Sequence, residues 1–215
     1  MNRFRLHRTA SGYRLVSNDL PLSDVQVDFG SASLERRVRR VRGERIVKAV
    51  QAAPGRLIVD CTGGLGTDGY LVAAAGAHVE VIERSHVLYL LLQSGLEQAD
   101  SAVAERINLH RGDAVAFLSS MTSVPDGILI DPMYPPQRRS ASRKAKAKGP
   151  LQLLHAFAGP DERNEQIHSL FQAALATGCR RIVVKRPRWA PPFTDRKPLF
   201  MSDGSASRLE VYCAT

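Results

Sequence analysis

Three short runs, Leu57-Ile58-Val59, Ile128-Leu129-Ile130 and Ile182-Val183-Val184, are apolar at every position. They lack the alternation that one solvated face would impose, so they read as strands covered on both faces of a sheet. Elsewhere the spacing turns helical. Over 162–176, Ile167, Leu170, Phe171, Ala174 and Leu175 mark one buried stripe, which Gly178 closes. The same reading predicts helices at about 67–75, 86–98 and 113–120, and further strands in 78–83 and 107–110. Strand and helix alternate with connections short enough to force parallel pairing, an α/β arrangement. The stretch 208–213 alternates instead, as an antiparallel strand would, and no internal repeat is found.

Ahead of this core, Phe4-Arg5-Leu6 and Tyr13-Arg14-Leu15-Val16 are broken by Ser11-Gly12 and Asn18-Asp19, the pattern of a small antiparallel element. The expected division is a small β element over 1–30 and the main domain over 31–215. From Ser33 to Val50, the residues Leu34, Val38, Val41, Ile46, Ala49 and Val50 fall near helical spacing, and Pro54-Gly55 is expected to end that helix. Its remaining faces carry Arg36, Arg37, Arg39, Arg40, Arg42, Arg45 and Lys48 against only Glu35 and Glu44.

A second basic stretch holds Arg138, Arg139, Arg143, Lys144, Lys146 and Lys148 with no acidic residue, and Lys185, Arg186 and Arg188 form a third. The default for such residues is a solvated face or a loose surface segment. Seven cations on one helix exceed what solubility needs and favour contact with phosphates. Trp189 reads equally as packed core or as an aromatic plane at a rim.

The 215-residue chain, 44% hydrophobic, allows one sizeable domain with at most a small appendage. A net charge of +9 and a pI near 9.9 suggest a polyanionic partner and say nothing of the fold. Cys61, Cys179 and Cys213 sit singly in apolar runs, which reads as free buried thiols in a reducing compartment. His110, His155 and His168 lack ligand spacing, so no metal is expected. With no leader pattern or long apolar span, a cytoplasmic protein is expected, with no membrane association.

Candidate chemistry gathers at the strand ends. Leu57-Ile58-Val59-Asp60-Cys61-Thr62-Gly63-Gly64-Leu65-Gly66-Thr67-Asp68 reads as a strand, a carboxylate, a Gly-rich turn and a helix start with unpaired N–H groups. Its spacing is not G-x-G-x-x-G, and alone it is a weak motif. Twenty residues past Gly63, Glu83 ends a strand and is placed for the two hydroxyls of a ribose. A third strand runs into Arg111-Gly112-Asp113, which could meet an adenine edge. A fourth ends in Asp131-Pro132, where proline removes a donor and stops the strand. Carboxyl ends of strands in open α/β sheets are where ligands bind.

This series resembles the class I S-adenosylmethionine-dependent methyltransferases, and Asp131-Pro132-Met133-Tyr134 resembles their amino-methyltransferase tetrapeptide [Asp/Asn/Ser]-Pro-Pro-[Tyr/Phe]. It is more similar still to the bacterial 16S ribosomal RNA guanine-N2 methyltransferases, which act on a guanosine of the 3′-terminal hairpin. Val27-Asp28-Phe29, Val59 to Gly66, Glu83-Arg84, Asp131 to Pro135, Val183 to Pro187 and Ala190-Pro191-Pro192 carry that likeness. It runs from about residue 25 to the C-terminus. The first twenty or so residues look shorter than that family usually has, and Met133 departs from the general tetrapeptide but suits the family.

The resemblance implies a Rossmann-like, mostly parallel seven-stranded sheet with one antiparallel strand. S-adenosylmethionine is the implied cofactor, held by Gly64, Gly66, Thr67 and Asp68 at the methionine portion, Glu83 and Arg84 at the ribose, Gly112 and Asp113 at the adenine, with Asp60 and Asp131 among the acidic strand ends. Asp131 and the Pro132 carbonyl would accept hydrogens of the target amine, and Tyr134 would stack on the base. The implied partner is 16S rRNA or the small ribosomal subunit, met by a monomer, with the basic segment after the tetrapeptide as a clamping flap. Three alternatives compete. A DNA adenine-N6 or cytosine-N4 methyltransferase would normally need a recognition domain for which there is little room. A nicotinamide dehydrogenase lacks the glycine spacing and a hydride-transfer dyad. A non-catalytic assembly factor would have no use for every acidic strand end together with Asp131.

Overall fold

The computed structural model describes residues 3–132, 134, 153, 154, 156, 157 and 163–214. In chain order a hairpin of β1 (Phe4–Thr9) and β2 (Gly12–Ser17) precedes α1 (Ala32–Val38), a 3-10 turn (Val41–Gly43) and α2 (Arg45–Val50). Then come β3 (Leu57–Asp60), α3 (Thr67–Ala74), β4 (His78–Glu83), α4 (His86–Leu96), α5 (Ser101–Ala104), β5 (Ile107–Arg111) and α6 (Ala114–Ser120). The chain closes with β6 (Gly127–Ile130), α7 (Arg163–Ala176), β7 (Ile182–Pro187), β8 (Phe200–Asp203) and β9 (Ser207–Tyr212).

Strands β3 to β9 form one seven-stranded sheet in the order β5-β4-β3-β6-β7-β9-β8. β9 is antiparallel to both neighbours and every other pairing is parallel, as expected for a Rossmann-like sheet. Each uniformly apolar run feeds two cores, because successive side chains leave opposite faces of a strand. Ile58, Leu129 and Val183 join one core with α2, α3, α4 and the N-terminal segment. Val59, Ile128, Ile130, Ile182 and Val184 join the other with α6 and α7, around the fully buried Phe171. Burial of each such side chain contributes roughly 1.5–3 kcal/mol before entropy is counted.

Two features were not legible in the pattern. β8 escaped it because this edge strand is barely apolar-facing: Phe200 and Met201 are 40% and 60% exposed. The expected helix over 33–50 is in fact two. Arg40 leaves helical geometry (φ −118°, ψ 26°), and Glu44 is extended (φ −63°, ψ 132°). This break turns the Glu44 carboxylate onto the Arg37 guanidinium, at 2.8 and 3.2 Å. It also lets α2 bury Ile46, Val47, Ala49 and Val50 on a face that a continuous helix would have pointed elsewhere. α2 ends at Gln51 (φ 57°), before Pro54. Arg45, expected among the phosphate contacts, instead bonds Ser202 Oγ (3.1 Å) and the Ser202 and Ser207 carbonyls, tying α2 to the β8–β9 edge.

The N-terminal hairpin is antiparallel, as its broken pattern suggests, with Leu6 opposite Leu15. Its second strand continues onto the segment after it through Leu15 and Val25, whose N–H and C=O groups bond reciprocally at 2.8 and 2.9 Å. Tyr13 N–H donates to Ser94 Oγ on α4 at 3.1 Å, and Val27 packs directly over Gly95. A side chain at residue 95 would meet the Val27 Cβ at 2.7 Å and its carbonyl oxygen at 3.1 Å. Gly95→Ala is therefore expected to lower stability by roughly 1–3 kcal/mol through overpacking, read as a reduced urea midpoint at unchanged slope.

Candidate active site

β3 and β6 are neighbours, yet the chain leaves β3 toward β4 on one side and reaches β6 on the other, which opens a crevice at their carboxyl ends. The parallel ladder runs one step past the strands, with Cys61 N–H donating to the Leu129 carbonyl at 3.0 Å. Next, Asp131 N–H donates to Thr62 Oγ1 at 2.7 Å. Asp60 Oδ1 accepts from the Thr62 N–H at 3.1 Å and from its hydroxyl at 3.4 Å. One threonine thus joins the two acidic strand ends. Burial pushes the Asp60 carboxyl up to about 7; the Thr62 N–H opposes this, while Asp68 and Asp131 add to it.

Lys185, the fourth residue of β7, places Nζ 2.7 Å from Asp68 Oδ2 and 2.7 Å from Asp131 Oδ2. Burial works against its charge, but the two carboxylates outweigh that and hold its pKa above the usual lysine value. Burial raises the Asp131 carboxyl above the ordinary aspartate range, with Lys185 opposing and Asp68 adding.

The Gly-rich loop is pinned from below by Glu83, whose Oε2 accepts from Gly64 N–H and whose Oε1 accepts from Ser85 N–H, each at 2.7 Å. Its surroundings raise the Glu83 pKa by burial, against those backbone bonds. Gly66 caps α3 in a left-handed conformation (φ 73°), and a Cβ there would strike Leu92 and come within 3.1 Å of Phe29. Phe29 stacks on Tyr70 of α3 at 4.2 Å, so the segment carrying Val27-Asp28-Phe29 backs the loop. A cleft of about 180 Å³ lies between them, lined by Asp28, Phe29, Ser31, Arg37, Leu65 and Thr67 among others.

Tyr134 is held at its hydroxyl, which accepts from Arg186 Nε at 3.0 Å, and its ring stands edge-on to Trp189 at 6.4 Å. Trp189 is 44% exposed, which settles its place at the rim rather than in the core. Arg186 is itself buried, pairing with Glu210 at 3.0 Å and bonding the Pro191 carbonyl.

The crevice therefore brings together Asp60, Gly64, Gly66, Thr67, Asp68, Glu83, Asp131, Pro132 and Tyr134. Arg84 is exposed beside Glu83, and Gly112 N–H donates to the Glu83 carbonyl at 3.1 Å with open space where its side chain would be. Asp113 caps α6 by accepting from Ala116 N–H at 2.9 Å.

The basic residues divide. Arg36, Arg39, Arg40 and Arg188 are exposed, whereas Arg37 is half-buried on Glu44. Lys185 and Arg186, expected at phosphates, are corrected to internal roles: one is bound between two carboxylates, the other is buried in an ion-pair network. Met133 and the segment with Arg138, Arg139, Arg143, Lys144, Lys146 and Lys148 lie outside the described residues. Thr62 was not singled out from sequence; its one signal was a hydroxyl two places after an acidic strand end. Among the described residues, no group of three or more His, Cys, Asp or Glu could hold a metal ion, and no helix is long and apolar enough to cross a membrane.

A family model described as "Putative SAM-dependent methyltransferase" matches residues 1–214. A protein of Aeromonas hydrophila named ribosomal RNA small subunit methyltransferase J is 37% identical over 98% of this chain and 86% of its own length. The chain belongs to that methyltransferase family. A Magnetococcus marinus member of the same name is 38% identical over 87% of this chain and 74% of its own. The crystal structure of an S-adenosylmethionine-dependent methyltransferase from Neisseria gonorrhoeae superposes with a TM-score of 0.73 at 28% identity, covering 97% of this chain and 82% of that one.

S-adenosylmethionine is thus the methyl donor, and the crevice fits it. Three carboxylates, Asp60, Asp68 and Asp131, face one another with, among the described residues, one lysine between them, an acidic lobe suited to a sulfonium and an ammonium group. Glu83 offers acceptor lone pairs beyond the two backbone bonds it accepts, and the space above Gly112 is open. Because Glu83 also pins the Gly64 loop, an alanine there would perturb loop and ligand together. Glu83→Gln keeps one acceptor oxygen but turns its amide N–H groups toward one of the two backbone donors, so the urea midpoint is read beside binding. The substitution is expected to weaken S-adenosylhomocysteine binding by about 1.5–3 kcal/mol, the value of a hydrogen bond to a charged group, as measured by calorimetry.

Proposed function

We propose that this methyltransferase modifies the exocyclic N2 amine of a guanosine in 16S ribosomal RNA. The observation that carries the reading is Asp131, which leaves β6 at the switch point, two-fifths exposed, with Pro132 and Tyr134 following it and the Gly-rich loop alongside. The names of the Aeromonas and Magnetococcus relatives support small-subunit ribosomal RNA as the substrate class.

When bound, S-adenosylmethionine supplies an electrophilic methyl group on a positively charged sulfur. The chain's own groups do the rest. The lone pair of guanine N2 is delocalised into the ring, which makes it a poor nucleophile. Asp131 and the Pro132 carbonyl accept its two hydrogens, which favours a pyramidal nitrogen with the lone pair free. Tyr134, fixed at its hydroxyl by Arg186, presents its ring to the base. Holding amine and methyl in line supplies much of the rate. No strong base is needed first; the proton leaves afterwards, to Asp131 or to water. A ribosomal substrate supports the cytoplasm as its location, and the protein is proposed to act as a monomer.

Asp131→Ala should lower turnover by about 10²-fold or more while S-adenosylhomocysteine affinity changes far less, since an acceptor of the reacting amine is lost. The measurement is nucleoside mapping of 16S RNA from cells lacking the chain, complemented with wild type or variant. Loss of N2-methylguanosine restored only by wild type bears out the reading; a different missing nucleoside rejects it.

Exposed Arg36, Arg39 and Arg40 are proposed to contact phosphates beside the crevice, because α1 packs against α3, whose first turn carries Asp68. Replacing all three with Ala should reduce the slope of log affinity against log salt by up to about two to three units, at roughly 0.7–0.9 per phosphate contact. A salt titration of RNA binding reads this directly. The same residues should leave cofactor affinity unchanged.

A further inference from the structure

The cation at the centre of the site has no role in the chemistry described so far. Lys185 follows directly on Val184, which lies opposite Ile130 in the parallel β6–β7 ladder, so it stands beside Asp131 by register. Its ammonium is spent on two carboxylates, Asp131 from the tetrapeptide and Asp68 from the first turn of α3. The side chains are 30% exposed for Lys185 and 17% for Asp68, too enclosed for a passing surface contact. Asp60 faces the same cluster from β3 through Thr62, and Tyr134 faces it from the chain after β6. Arg37, from α1, acts on Asp68 but spends its guanidinium on Glu44.

We propose that Lys185 is a positioning residue for methyl transfer: by binding Oδ2 of Asp131 it keeps that carboxylate ionised and leaves Oδ1 for a hydrogen of the target amine. The inference rests on the amino-methyltransferase reading of Asp131. Without the lysine, no other cation among the described residues is in ionic contact with Asp60, Asp68 or Asp131, and like charges so close cannot all remain ionised. Asp131 would take up a proton and present an O–H where the amine needs an acceptor. Asp68 anchors the other side of the ammonium, which ties the reacting end of β6 to the helix that starts directly after the Gly-rich loop. The arrangement also explains why this lysine is not available to phosphates.

The test is a titration of the Asp131 carboxyl carbon by ¹³C NMR in the isolated protein, its signal identified with Asp131→Asn. Lys185→Met is expected to raise the Asp131 midpoint by at least about one pH unit, and Lys185→Arg to reverse most of that rise. Asp68→Asn is expected to move the midpoint the opposite way, downward, because it removes a like charge. The acid limb of turnover at saturating S-adenosylmethionine should follow the midpoint in each variant. Asp60 titrates nearby, and the NMR assignment keeps the two carboxyls apart. An unchanged midpoint in folded Lys185→Met would overturn the proposal. If that variant fails to fold, Lys185→Gln removes the charge while keeping a polar side chain, and an unchanged midpoint there would overturn the proposal instead. Failure of the wild type to methylate RNA would defeat the functional reading while leaving the carboxyl titration intact, so the two failures are separable.

Discussion

The site depends on one register: β3 and β6 lie side by side, parallel, and end at the same level. The Cys61–Leu129 backbone bond carries the ladder past the strands, and the Thr62 hydroxyl then receives the Asp131 N–H. That pairing converts two carboxylates, far apart in sequence, into one wall of a crevice. β6 also accepts β7 on its other side, and the same register delivers Lys185 beside Asp131. Ile58, Val59, Ile128 and Leu129 are buried on both faces, which holds β3 and β6 in the middle of the sheet, and the Thr62–Asp131 bond fixes their ends at one level.

Charge is used in two ways that the net value of +9 does not distinguish. The crevice is an acidic focus within a basic molecule, which suits a cationic methyl donor inside and a polyanion outside. Several arginines serve the fold rather than any partner. Arg45 binds the β8–β9 edge, and Arg186 and Arg208 converge on Glu210, with Tyr212 donating to the same carboxylate at 2.7 Å. Removing Glu210 would leave the buried Arg186 guanidinium without its carboxylate, a loss of about 3–5 kcal/mol. That network also fixes the Tyr134 hydroxyl, so the stability of the β7–β9 edge and the placement of the tetrapeptide share one set of bonds.

The N-terminal segment has a comparable double use. Val27 rests on Gly95 of α4 and Phe29 rests on Tyr70 of α3, beside Gly66. The same contacts that close the first core therefore support the Gly-rich loop from behind.

From sequence alone, the α/β class, the reversed last strand and the acidic strand ends were legible, because burial on two faces leaves unbroken apolar runs and a proline after Asp131 marks where a strand must stop. The carboxylate series and the tetrapeptide were legible for the same local reason. β8 was not, since an edge strand with exposed Phe200 and Met201 carries no burial pattern to read. The break between α1 and α2 was not, since helical spacing continued through it and only the Arg37–Glu44 pairing and the buried face of α2 decide against one helix. Above all, the basic runs could not be sorted. Lys185 and Arg186 stand in sequence among residues that look like phosphate ligands, but strand alternation sends them to opposite faces. One lands between Asp68 and Asp131 and the other against Glu210, partners that only the folding of β7 between β6 and β9 brings within reach.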